Sequence, residues 1–387
     1  MTMFKAKTDF FVIASEARQS MPSAPSFGLP RFARNSKVGG AIQHISRAFI
    51  IILALTLPAC PHSCSEPAQN LQFSGQTMGT TYSVVINNSS RLKIDVADLK
   101  IPVDKCLEKI NDIFSTYRKK STISRFNHWK SKRPMTVEPD LALVAKRALE
   151  IGTHTNSAFN ITLDPLINLW GFDRGGRITR KPSARRIREA LLLSDQGQIQ
   201  VDKRSIMKSN PQISINLSGI AKGWAVDEIA RLIKSAGLND FLVEIGGEMV
   251  ASGRNPRQHN WTIGIEDPRF PGDSKQLVAR ANISDLALAS SGNYLNFFTD
   301  SDGTDYHHLI DPRTGYPVKN DILSVSVIAK TCMDADALAT SAMILGEEEV
   351  RKLAKKFDGA SFMFVRLVND KLSLSFVAGF EKYLSHS

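Results

Sequence analysis

Between Phe241 and Ala329 the chain strings together seven short apolar segments, "FLVEI", "EMVASG", "WTIGIE", "LVARANI", "LALAS", "YHHLI" and "LSVSVIA". Alternation with a period of two reads as strand. Upstream the pattern changes to helical spacing. "VADLKIPVDKCLEKINDIFSTY" sets Val103, Leu107, Ile110 and Phe114 on one face. "PDLALVAKRALEIG" is a second helix with Gly152 placed to cap it, and "KPSARRIREALLL" a third, opened by Pro182 and Ser183. "INLSGIAKGWAVDEIARLI" aligns Val226, Ile229, Ala230 and Ile233, with Gly237 past its end. "DADALATSAMILG" and "EEEVRKLAKKF" return to helix, and "SFMFVRL" with "LSLSFV" closes the chain as a hairpin. Helices gather early and strands late, so the class is α+β rather than a regular βαβ alternation.

The N-terminal stretch reads as a targeting segment. "SRAFIIILALTLPAC" places basic residues before an apolar run from Ala48 to Leu57, and small residues then precede Cys60. The run is short for a membrane span and fits a secretory signal; the ending resembles a bacterial lipobox in which Cys60 is lipidated. We assign residues 1–59 to a leader, whose first 36 or so fit a start codon placed too far upstream, residues 60–74 to a tether and 75–380 to one domain. Of the net charge of +11, residues 1–59 hold seven Lys or Arg against two acids. The remainder reads as a mild basic bias without clusters or interleaved aromatics, which excludes nucleic acid as a partner. There is no C-x-x-C, so zinc and thioredoxin-like chemistry are unsupported, while a Cys106–Cys332 disulfide is open.

Five polar, glycine-bearing patches interrupt the apolar pattern. "TMGTTY" around Met78 is a turn feeding a strand. "STYRKKSTISRFN" reads either as a solvated loop or as a site segment carrying Tyr117. "SAFNITLDPLINLWGF" contains Asn160 and aromatics that could flank a planar ligand, although Trp170 suits the core. In "SGIAKGWAVD" two glycines and Lys222 crowd a helix start, where unpaired amides receive an anion. A lysine there opposes the helix dipole unless an anion or carboxylate answers it. In "DADALAT", Asp336 and Thr340 are four apart and share a helix face, a pair of hard oxygens suited to Mg2+. Asp334 is placed to cap that helix. His307 and His308, beside "DPRTG", are candidates for a general base.

In order and spacing, "TMGT", "FSTYRKKSTISRFN", "FNITLDPLINLWGF", "INLSGIAKGWAVD", "LVEIGGEMVASG", "ASSGNY", "HHLIDPRTG" and "DADALAT" resemble the ApbE family of FAD:protein FMN transferases, from about Gly75 to Gly379. The resemblance implies a two-lobed α+β fold of mixed or antiparallel sheets flanked by helices, with FAD between the lobes. It implies a magnesium-dependent transfer of FMN from FAD to a Thr or Ser hydroxyl of a target flavoprotein, with AMP released. Mg2+ would be held by the Gly219 carbonyl, Asp336 and Thr340, and His308 would activate the acceptor hydroxyl. Met78, Tyr117, Ala158, Phe159, Asn160, Asn216 and Lys222 would line the FAD site. Acceptors would be subunits of Rnf- or Nqr-type redox complexes, and the enzyme a lipoprotein on the periplasmic face of the bacterial inner membrane. The family pattern has Asp where this chain has Asn160 and Asn216. Those two amides keep FAD hydrolysis to FMN and AMP, or FAD binding without catalysis, as alternatives.

Overall fold

The computed structural model describes residues 12–14, 70–87, 94–172, 181–293, 297–299, 305–357 and 359–385. Cys60, the leader and the tether up to Gln69 lie outside these, apart from Val12–Ala14, which pairs in parallel with Trp261–Glu266. An eight-stranded sheet organises the rest. Its strands run in the order Lys371–Val377, Ser361–Val368, Ile322–Ala329, Leu286–Gly292, Glu248–Ser252, Phe241–Ile245, Thr80–Ile86, Leu71–Thr77. Every neighbouring pair is antiparallel. The first of these to occur in the chain, Leu71–Thr77, begins within the stretch read as tether.

Both faces of the sheet are covered, and the side-chain alternation shows it. Val84 and Ile86 join a core formed with the helices, while Val85 joins a second core with Trp261, Ile263 and Ile283 on the opposite face. Strands buried on both sides read as nearly continuous apolar runs, as in Val84-Val85-Ile86. Eight α-helices occur among the described residues: α1 Val96–Phe114, α2 Thr122–His128, α3 Pro139–His154, α4 Asp164–Leu169, α5 Ala184–Leu191, α6 Ser218–Ser235, α7 Cys332–Leu345 and α8 Glu347–Leu353. The α+β class, with antiparallel sheets flanked by helices, is as the sequence indicates. A smaller core of Leu166, Trp170, Ile187, Tyr306 and Ile310 lies beside the main one. Trp170 is fully buried there, its indole N–H donating to the Gly315 carbonyl at 2.8 Å.

Three sequence expectations change, and the open question of a Cys106–Cys332 disulfide closes. Gly152 lies inside α3, and Thr155 is its C-cap. A β-carbon at Gly152 would come within 2.1 Å of Gln196 Nε2 and 2.8 Å of the Phe159 carbonyl oxygen, so close packing accounts for this glycine. Thr331, not Asp334, caps α7, accepting the Asp334 amide at 3.2 Å. "YHHLI" is two short strands, Asp305–His307 and Ile310–Asp311, broken by a bend at His308. Cys106 and Cys332 are free thiols.

Among the described glycines, Gly223 makes the closest approach to another segment's backbone, between α6 and α7. A β-carbon on Gly223 would be 2.2 Å from the Cys332 carbonyl oxygen and 2.8 Å from Met333 Cα. The obstacle is backbone and cannot rotate away, so the helices would have to part. Gly223→Ala is expected to destabilise the fold by about 2–3 kcal/mol despite alanine's better helix propensity. Denaturant unfolding measures this, and a change below about 0.5 kcal/mol would contradict the packing described.

Candidate active site

The first turn of α7 is fastened from two other helices. Asp227, one turn beyond Gly223 on α6, accepts the Cys332 and Met333 amides at 2.8 and 2.9 Å. These are amides that a helix start leaves without intrahelical partners. Burial pushes the Asp227 carboxyl up to about 7, against the pull of the two backbone hydrogen bonds. From α3, Arg147 grips Asp334 with Nε to Oδ1 at 2.7 Å and Nη2 to Oδ2 at 3.0 Å, the bidentate geometry that orients most strongly.

That anchorage fixes the position of the next two turns of α7. Asp336 is buried, and its Oδ2 accepts the Gly223 amide at 3.0 Å. In an undisturbed helix that amide is the partner of the Gly219 carbonyl, so Asp336 draws on the same hydrogen. One turn later, Thr340 Oγ1 lies 3.2 Å from Ser291 Oγ. A β-carbon on Gly219 would stand 3.6 Å from Thr340 Oγ1 and 3.4 Å from the Phe159 ring. Gly219, Asp336, Thr340 and Phe159 therefore meet at one crossing.

Burial raises the Asp336 carboxyl, while the Lys222 charge and the Gly223 hydrogen bond lower it. Lys222 Nζ lies 2.6 Å from Glu248 Oε1, so a carboxylate does answer the lysine at the helix start. Glu248 and Glu244 belong to the hairpin "EIGGE", whose Gly247 amide donates to Glu244 at 2.7 Å. Burial raises Glu244 in turn, and Lys222 again lowers it. Among the described residues no cluster of three or more His, Cys, Asp or Glu could hold a metal. The oxygens at the crossing are one carboxylate, one hydroxyl and one helix carbonyl. That donor set fits a hard cation completing its shell with water and phosphate, and does not fit zinc.

Beside the crossing, Ala158 and Phe159 are buried. Asn160 Oδ1 accepts from the Thr162 amide and hydroxyl, both at 2.7 Å, while its Nδ2 donates to the Ser194 carbonyl at 2.8 Å. Asn216 Nδ2 donates to Asp164 Oδ1 at 2.8 Å, and its Oδ1 accepts the Ser218 amide at 3.0 Å. The Asn216 backbone amide donates to the Ile161 carbonyl at 2.7 Å, joining the two segments. A recess of about 540 Å3 lined in part by Ser157, Asn160, Ser194, Asp195, Gln196 and Pro312 opens next to the Asn160 segment; of the expected site residues only Asn160 lines it.

The other expected site residues come from separate segments. Met78 (φ +50°) and Gly79 (φ +78°) form a two-residue hairpin turn of type I′. Met78 is half-buried against the main core and Tyr117 is 67% exposed in the loop after α1. His308 is half-buried at its bend, before the Asp311–Gly315 turn.

Sequence reasoning missed the supports beneath this arrangement. Asn127 donates to the Ile215 carbonyl at 2.9 Å and accepts the Ile215 amide at 2.8 Å, as a strand neighbour would. Lys208 is fully buried, its ammonium donating to the carbonyls of Phe126, Asn127 and Ile213 at 3.1, 3.3 and 2.7 Å. Burial pulls that amine down to about 8. Together they hold the strap that leads into α6.

A family model described as the ApbE family matches residues 78–364. A Vibrio cholerae protein named FAD:protein FMN transferase is 36% identical over 324 residues, covering 84% of this chain and 93% of its own. The Haemophilus influenzae protein of that name is 32% identical over 330 residues, covering 84% and 94%. Among solved structures, the flavin transferase ApbE from Vibrio cholerae matches with TM-score 0.74 and 34% identity, over 82% of this chain and 100% of that one. The apo Pseudomonas stutzeri flavinyl transferase ApbE matches with TM-score 0.73 and 31% identity, over 82% and 98%.

Two predictions arise from the site's supports. Asn216→Asp would set a second carboxylate against Asp164, with an expected cost of about 1–3 kcal/mol at pH 7 that shrinks near pH 4; unfolding curves at both pH values test it. Asp227 keeps its proton to about pH 7 when folded, whereas an unfolded aspartate releases it near roughly 3.9. The folded state binds more protons in between, so this group makes stability decline as pH rises from about 4 to 7. Asp227→Asn should flatten that slope; an unchanged slope would show that Asp227 is already ionised when folded.

Proposed function

Because the chain belongs to the ApbE family, we propose that it is a flavin transferase that moves FMN from FAD to a threonine or serine hydroxyl of a target flavoprotein. In that reaction the hydroxyl oxygen bonds to the phosphorus of the FMN half, and the bond from that same phosphorus to the bridging oxygen breaks. AMP leaves with the bridging oxygen. The observation that carries this reading is the convergence of Gly219, Asp336 and Thr340 at the α6–α7 crossing, with Lys222 one turn away and the Ala158–Asn160 segment alongside.

The Gly219 carbonyl, Asp336 and Thr340 would hold Mg2+. When bound, such an ion offsets negative charge on the transferred phosphoryl group. Lys222 orients a second positive charge toward the diphosphate while Glu248 fixes its position. Ala158, Phe159, Asn160 and Asn216 would line the dinucleotide pocket, with Met78 and Tyr117 completing it from the hairpin turn and the loop after α1. His308 would accept the proton of the acceptor hydroxyl, a weak nucleophile without such a base.

The amide substitutions at Asn160 and Asn216 are compatible with this chemistry. Each Nδ2 serves a local acceptor, Ser194 or Asp164, that a carboxylate could not satisfy. Acceptors would be flavoprotein subunits of Rnf- or Nqr-type redox complexes. Among the described residues no helix is long and apolar enough to cross a membrane. Attachment to the periplasmic face of the inner membrane would come from lipidation of Cys60.

The test mixes the protein with FAD, Mg2+ and such an acceptor domain, then reads the acceptor's intact mass. One FMN adduct is expected, lost in excess chelator and reduced at least about a hundredfold by Asp336→Ala, the scale of losing a metal-based stabilisation. An adduct that persists undiminished in chelator overturns the metal-dependent mechanism; FAD cleaved to FMN and AMP without an adduct assigns hydrolysis instead.

A further inference from the structure

Residues 113–137 contain seven Lys or Arg and no acid, which corrects the reading of a basic excess without clusters. They bracket the short helix α2: Lys119 and Lys120 precede it, Arg125 lies within it, and Lys130, Lys132 and Arg133 follow it. Lys119, Lys120, Arg125, Lys130, Lys132 and Arg133 are all exposed, and none of the six is in an ion pair among the described residues. A hairpin turn adds exposed Lys203 and Arg204, because Thr136 pairs with Ser205 and the Val137 amide donates to the Arg204 carbonyl at 3.0 Å. Lys208 ties that hairpin to the end of α2 through the Phe126 and Asn127 carbonyls. Asp202 and Glu138 border it, as do Glu108 and Asp112, which pair with Arg118 at 2.7 and 2.6 Å rather than with the six cations beyond it. Two aromatics stand among these cations: Trp129, 39% exposed with its indole N–H on the Arg133 carbonyl at 3.1 Å, and Tyr117 at the edge of the proposed pocket.

We infer that this face docks on an anionic phospholipid surface. Lysines dominate it, and lysine is depleted at protein interfaces. Lys and Arg close to anionic headgroups, with Trp and Tyr at headgroup level, are the chemistry of a bilayer interface. Chain length permits the approach. From Cys60 to Asn70 the backbone can span up to roughly 33 Å. The strand Leu71–Thr77 then runs roughly 20 Å toward the end where Asn111 holds Thr77 at 3.0 Å and α1 leads into the basic segment. The inference takes from the proposed function only the nearness of a bilayer. It gives the anchored enzyme an orientation, with the edge of its candidate pocket turned toward membrane-bound acceptors.

Trp129 supplies the readout, since Trp170 and Trp261 are buried and Trp224 is half-buried. The full-length chain is mixed with vesicles of phosphatidylcholine alone or with phosphatidylglycerol, each carrying lipids brominated near the headgroup. Anionic vesicles are expected to quench and blue-shift the emission more than neutral ones, and Trp129→Phe should remove that difference. The triple variant K130E/K132E/R133E should bind anionic vesicles at least about a hundredfold more weakly, with an unchanged melting temperature. It retains the leader, so the leader's own charge cancels in the comparison. Equal binding by the triple variant, or quenching indifferent to Trp129→Phe, overturns the inference. So does a triple variant that binds vesicles normally but fails to label a soluble acceptor, which would assign the face to a protein. Failure of the transferase reading or of Cys60 lipidation shows in the acceptor mass or the anchor, and leaves the quenching difference intact.

Discussion

The close approach of α6 and α7 is the constraint on which the site depends. Glycine at 223 lets one helix backbone touch the other, and Asp227 one turn later binds the first amides of α7. Contact and cap together leave a single register. Sliding α7 by one turn would move its side chains by about 5.4 Å, which separates Asp336 from the Gly223 amide and Thr340 from Gly219. Since α7 is buried on almost every side in the main core, it has no solvent-facing alternative rotation either.

Electrostatics then decide what the crossing can accept. Asp336, Glu244 and Glu248 bring three carboxyls to it from α7 and from one tight hairpin, and Lys222 acts on each. Buried carboxylates are costly unless paired or hydrogen-bonded. Here the Lys222 ammonium lowers the Asp336 and Glu244 carboxyls that burial raises, and pairs directly with Glu248.

Local pattern made much of this legible in the sequence. The helical faces of α1 and α6, the closing hairpin and the α+β class rest on periodicity, which neighbouring residues determine. The i, i+4 pairing of Asp336 and Thr340 is legible for the same reason. What escaped was set by distant partners. Lys208 ends a short strand and looks like any surface lysine, yet three carbonyls from two other segments surround its ammonium. Gly152 resembles a helix cap and instead makes room for Gln196. Thr331 outcompetes Asp334 as a cap because Arg147, 187 positions away, engages the aspartate. The break at His308 arises because the strands on either side of it pair with different partners.

The two asparagines illustrate how a departure from a family pattern can be absorbed locally. An amide has both a donor and an acceptor end, and each of these uses both. Asn160 holds Thr162 with its oxygen and Ser194 with its nitrogen; Asn216 holds Ser218 and Asp164 in the same way. With Asp164 opposite, an aspartate at 216 would need a shared proton or a cation between the two carboxyls. The amide replaces that requirement with one neutral hydrogen bond. Negative charge is thereby withdrawn from the strap, which only has to hold its shape.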